Sequence, residues 1–194
     1  MHLLSTRFRY GAVAQIFHWL AAILVVAAYF MGPGGSEQRV YSSAVDFTRQ
    51  THETLGITVF ALVFVRLLWR LVDTAPDDPP MQPWMRYSAK LVQVSLYVLL
   101  IATPLSAVVG AWLEGHPLTL WGLGNIGPML PSLHDVGLSA AALHVMLGNI
   151  ILWVTGLHAV AALFHHFFLR DSVLLSMLPG RWPPHRASEM KGDR

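Results

Sequence analysis

The chain of 194 residues is 54% hydrophobic and only 12% charged, about half the ~25% typical of soluble domains. That balance excludes a disordered chain, whose signature is low hydrophobicity, and argues against a water-soluble domain. The lack of cysteine excludes disulfide frameworks, thiolate metal sites, iron–sulfur clusters, cysteine nucleophiles and haem held covalently through C-x-x-C-H; a net charge of +2 gives no ground for nucleic-acid binding.

Four stretches reach the ~20 apolar residues that a membrane-spanning helix needs. The first covers about 12–31 and closes at Gly32-Pro33-Gly34-Gly35. It is longer than the roughly 7–15 apolar residues of a signal peptide, so a retained span is expected. The second covers about 54–71 and stops before Asp77-Asp78-Pro79-Pro80. The third, about 88–113, contains Pro104, a residue that kinks helices by removing a backbone donor. The fourth covers about 139–169. The expected architecture is all-α: one integral membrane domain over residues 1–194, built as a four-helix bundle.

Lys and Arg accumulate on the cytoplasmic side of membrane proteins. With both termini inside, only Arg39 and Arg49 of the thirteen basic residues fall outside. The expected orientation therefore places both termini in the cytoplasm.

Ionisable groups within spans are costly and mark function. His144 and His158 are 14 residues apart on the fourth span, so they share a face about 21 Å apart along the helix axis. His18 opens the first span at the depth of His158, and His52 opens the second at the depth of His144. Depth thus pairs His18 with His158 and His52 with His144. Taken singly, a histidine also serves as an interhelical hydrogen-bond donor, and copper or zinc accepts imidazole. Four at matched depths fit two six-coordinate haem irons. Small residues one turn from the ligands, Gly56 and Gly148 among them, leave room for a porphyrin; six of the eight positions four residues from these histidines are Gly or Ala.

Arg66, 14 residues after His52, shares its face and suits a haem propionate through a bidentate guanidinium; snorkelling to the interface is the plainer alternative. His165, seven after His158, suits a quinone carbonyl or a propionate while exchanging protons near neutral pH. Arg39 and Arg49 flank the approach to His52. His116 and His134, in the loop before the fourth span, are expected to be exposed, and Trp112 and Trp121 to lie at the interface.

With His18-Trp19, Thr51-His52-Glu53, Val65-Arg66-Leu67-Leu68-Trp69-Arg70, Leu143-His144, Gly156-Leu157-His158-Ala159, Ala162-Leu163-Phe164-His165-His166 and Met177-Leu178-Pro179, the chain resembles the bacterial cytochrome b561 family of four-helix dihaem membrane proteins. The resemblance is nearest to its superoxide oxidase branch. It implies an inner-membrane oxidoreductase that takes electrons from periplasmic superoxide, passes them through two b-type haems and reduces ubiquinone. Carried over, His52 and His144 ligate the outer haem, His18 and His158 the inner one. Arg49 guides superoxide, and His165 belongs to a quinone site. The family also contains cytochrome subunits serving dehydrogenases, which keeps a docking role open; a non-redox, metal-binding membrane protein is a third reading.

Overall fold

A computed structural model describes residues 2–180. Four long helices are apolar enough to cross a membrane: α1 (Ala12–Phe30), α3 (Asp46–Val72), α4 (Pro83–Glu114) and α5 (His134–Phe164), with a four-residue α2 (Glu37–Val40) between the first two. A π-helical turn, His165–Leu169, and the short α6 (Val173–Met177) follow α5. Trp153 is 79% and Leu71 83% exposed. Such apolar exteriors are at home in lipid, which solvates them as a core would.

Three of the expected spans are longer at their starts than hydropathy indicates. α3 begins at Asp46, α4 at Pro83 and α5 at His134, because helix continues through polar residues once they have left the apolar layer. His52 therefore lies inside α3 rather than at its start. The all-α architecture holds, with one short addition in the loop between α4 and α5. Leu118–Leu120 (β1) pairs antiparallel with Gly124–Ile126 (β2), a hairpin too short to show as an alternating pattern. It docks on α3, where Glu53 accepts from Thr119 N–H at 2.6 Å and Thr54 Oγ1 from Trp121 N–H at 3.0 Å.

The bundle is two helix pairs, α1 with α3 and α4 with α5, that meet each other less extensively. The α4–α5 approach depends on glycine. A Cβ at Gly110 would stand 3.1 Å from Ala141 N, and one at Gly137 would stand 2.9 Å from Glu114 N. Small residues let helix backbones come this close without a hydrophobic drive between them. Gly137→Ala is expected to push the helices apart and cost about 1–3 kcal/mol, the usual range for overpacking; a lowered midpoint of thermal unfolding in detergent checks it. α4 stays one continuous helix through Pro104 and ends on Gly115, whose φ of 87° forms a left-handed cap.

At one end, here the tail face, the N-terminal segment ties the chain together. Ser5 donates to the Asp73 carboxylate from both N–H and Oγ, each at 2.7 Å, and Arg7 pairs with Asp77 at 2.5 Å. Gln15, buried, donates to the Tyr10 and Ser176 carbonyls, and Trp19 Nε1 to that of Met177. Arg9 donates to the Leu178 carbonyl. The opposite end, the hairpin face, carries α2, the hairpin and the start of α5. Arg181, Arg186, Lys191 and Arg194, four of the basic residues behind the expected orientation, lie outside the described residues.

Candidate functional site

The four span histidines meet in the two pairs that depth suggests. Towards the hairpin face, the His52 and His144 rings have centroids 5.7 Å apart with planes at 81°. Towards the tail face, His18 and His158 are 6.2 Å apart at 66°. A metal-bound imidazole nitrogen lies about 2 Å from its metal, so rings on opposite sides of one metal atom have centroids roughly 6 Å apart. Both pairs meet that spacing.

The outer pair is also oriented. His52 Nδ1 donates to the Ala28 carbonyl at 2.7 Å, and His144 Nδ1 to that of Thr103 at 2.9 Å. A carbonyl oxygen only accepts, so both Nδ1 atoms carry the proton and both Nε2 atoms keep a lone pair. That is the tautomer a ligand needs, fixed by the bond its other nitrogen makes. The Thr103 carbonyl also accepts from Ser106 Oγ at 2.7 Å.

Beside this pair opens a cavity of about 880 Å³, lined among others by Tyr29, Arg49, Gly56, Thr103, Pro104 and Gly148. A Cβ at Gly56 or Gly148 would meet nothing within 4 Å. Both glycines therefore border open space, unlike Gly137. Arg49 is only 11% exposed and spends its terminal nitrogens on Asp46 (2.8 Å) and Glu53 (2.9 Å). Its Nε is buried and has no partner among the described residues. Two oriented imidazoles, a glycine-lined void and an orphaned cationic donor fit a porphyrin with anionic propionates. Among the described residues, no carboxylate joins either histidine pair in a ligating group, so each pair offers imidazole donors alone.

At the tail face the guanidiniums of Arg66 and Arg70 lie over the Tyr97 ring, 5.6 and 5.8 Å from its centroid. Arg66, Arg70, Tyr10, Trp69 and Asp73 border a small void of about 30 Å³, room for about one water molecule. Burial raises the Tyr10 phenol above its ordinary range against the opposing pull of Arg70 and Arg66, so it stays neutral. His165 begins the π turn that ends α5, and its Nδ1 meets Asp171 Oδ2 at 2.5 Å. Asp171 Oδ1 accepts from Val173 N–H at the start of α6. One carboxylate thus caps α6 and orients His165.

One expectation for the loop before α5 comes out differently. His134 is exposed, but His116 is not. It is stacked on Tyr41 with centroids 3.4 Å apart and bonded to Glu37 at 2.9 Å. The helix α2 folds back to reach it, a contact across 79 residues that local pattern does not encode. Trp121 is half exposed with its edge on Phe47, whereas the Trp112 indole nitrogen is buried without a partner among the described residues. The carbonyls of Ala28 and Thr103, which orient the outer histidines, carry no side-chain signal at all.

Comparison with known proteins identifies the family. The family profile for prokaryotic cytochrome b561 matches residues 9–180. The chain is 28% identical to cytochrome b561 homolog 2 of Escherichia coli over 92% of its own length and 95% of the relative's. It is 29% identical to cytochrome b561 homolog 1 of the same organism, over 89% and 98%. It is 30% identical to a probable superoxide oxidase of Yersinia pestis, over 88% and 96%. The chain therefore belongs to the prokaryotic cytochrome b561 family, multi-pass membrane electron-transfer proteins that bind b-type haem.

Proposed function

We propose that this protein is a superoxide:ubiquinone oxidoreductase of the bacterial inner membrane, a single membrane domain holding two b-type haems. His52 and His144 hold one near the hairpin face; His18 and His158 hold the other near the tail face. The observation that carries this reading is the presence of two matched histidine pairs, one towards each face. The relation to a probable superoxide oxidase supports the choice of donor. Arg66, Arg70, Arg86 and Lys90 lie at the tail-face ends of α3 and α4, while Arg39 and Arg49 lie at the hairpin face. By the positive-inside rule the tail face is cytoplasmic and the hairpin face periplasmic.

Bound haem supplies a one-electron carrier at each pair. The rest is the chain's own work. The Ala28 and Thr103 carbonyls hold the outer imidazoles in the ligating tautomer. Arg49, its charge largely offset by Asp46 and Glu53, acts at short range through Nε at the outer site. Arg66 is the candidate to hold a propionate near the inner pair. Superoxide gives up an electron without proton transfer, so the outer site needs no acid or base. Ubiquinone takes up two electrons and two protons, so the tail face needs a proton donor. His165 is the candidate: Asp171 holds its Nδ1 proton and leaves Nε2 to exchange with the quinone.

Replacing His165 with leucine is expected to leave both haems bound and slow quinone reduction about 100-fold, a typical contribution of a positioned acid–base group. Unchanged turnover would remove His165 from the site. The activity is tested by supplying superoxide to the purified haem-loaded protein with a ubiquinone and following quinol formation. Superoxide-dependent quinol supports the proposal. Reduction only by a copurifying dehydrogenase would make the chain that enzyme's cytochrome subunit instead.

A further inference from the structure

At the rim of the hairpin face, four side chains from four separate segments converge. Glu37 comes from α2, Glu114 from the last residue of α4, His116 from the turn beyond it and His134 from the first residue of α5. His116 Nε2 lies 2.9 Å from Glu37 Oε1, and His134 Nε2 lies 3.6 Å from Glu37 Oε2. The donor atoms of Glu37, Glu114 and His116 all fall within 4.8 Å of one another. Glu114 Oε1 is buried and has no partner among the described residues, an expensive state for a carboxylate oxygen.

The surroundings hold this group in place. His116 is stacked flat on Tyr41. Burial, with Glu114 and Glu53 nearby, raises the Tyr41 phenol above its ordinary value, so it remains neutral and adds no competing charge. Gly137 lets Glu114 lie against the start of α5, since a Cβ there would stand 2.7 Å from Glu114 Cγ.

We infer that Glu37, Glu114, His116 and His134 form a binding site for a divalent transition-metal ion of the zinc class, clipping the periplasmic segments together over the mouth of the outer cavity. Two imidazoles and two carboxylates offer mixed nitrogen and oxygen donors whose charge balances a dication. Zinc takes such donors at about 2.0–2.1 Å, which keeps them within roughly 4 Å of one another, so Glu37, Glu114 and His116 close by small side-chain rotations, with His134, 3.6 Å from Glu37, as the fourth donor. Calcium and magnesium prefer all-oxygen shells and are poor matches. The site is separate from the two histidine pairs and does not depend on which donor the protein oxidises.

The test is titration of Zn²⁺ into the haem-loaded protein, freed of metal with a chelator, with binding followed by calorimetry. One ion per chain is expected, with no competition from a large excess of Ca²⁺ or Mg²⁺. Glu114→Gln and His116→Gln are each expected to weaken binding at least about tenfold, since even outer-shell losses cost metal sites 10–100-fold. Both variants should keep the haem absorption spectrum, which reports an intact fold, and His2→Gln, on the exposed N-terminal segment, should change nothing. X-ray absorption of the zinc-loaded protein should show imidazole scattering in a nitrogen–oxygen shell. Absence of stoichiometric Zn²⁺ binding would overturn the inference. So would binding that survives both substitutions, which would place the ion elsewhere, or equal competition by Ca²⁺.

Discussion

Replacing His144 with alanine is expected to lower the haem content from two per chain to one, with the spectrum of the remaining haem unchanged. The change deletes one of the two imidazoles at the outer site and leaves the inner pair, about 21 Å away along α5, untouched. The fold should survive. The Thr103 carbonyl that His144 satisfies also accepts from Ser106 Oγ, so its hydrogen bonding is not abolished. The truncated side chain leaves a space of imidazole size beside the cavity, and added imidazole should restore the outer haem in part. A haem count by alkaline pyridine spectroscopy, with and without imidazole, checks both. Retention of two haems in the variant would show that His144 is not a ligand.

Filling the cradle should have the same effect by a different route. Gly148→Phe is expected to abolish outer haem binding while leaving the protein folded. Gly148 borders the cavity, with nothing within 4 Å of a Cβ built there, so a side chain added at this position enters that space. A glycine in mid-helix is itself a poor helix former by about 1 kcal/mol relative to alanine, so the backbone loses nothing by the exchange. The phenyl group then occupies the cavity beside His52 and His144. The contrast with Gly137, where even a methyl group would press on the Glu114 backbone, is informative. One glycine lets two helices meet closely, and the other borders open space. Unfolding midpoints should fall for Gly137→Ala, whereas Gly148→Phe should lose haem without losing the helical circular-dichroism signal.

The spans were legible because a membrane helix announces itself through its own residues. α1 matches its apolar stretch almost residue for residue. α3, α4 and α5 overrun theirs at the start because helix formation continues into the interface, where hydropathy no longer follows it. The histidine pairs were legible for a geometric reason: helices of known direction crossing a layer of fixed thickness leave few residues at equal depth. What could not be read were partners far apart in sequence and belonging to the backbone. The Ala28 and Thr103 carbonyls look like any others until α1 and α4 are packed against His52 and His144. His116 reads as an exposed loop residue because nothing near it in sequence reveals that α2 returns to meet it. Arg49 reads in the sequence as a basic residue flanking the approach to His52, yet its neutralising partners, Asp46 and Glu53, lie one turn to either side of it. That pairing was available from helical spacing alone, once α3 was known to begin at Asp46.

The central claim is that four histidines hold two haems, one towards each membrane face. The most direct test is to count haem per chain in the purified protein and record its reduced-minus-oxidised spectrum. The account predicts two b-type haems per chain with low-spin, bis-imidazole bands, each lost separately when its own histidine pair is disrupted. A single haem per chain, or two that both persist after His18 and His52 are replaced, would contradict it.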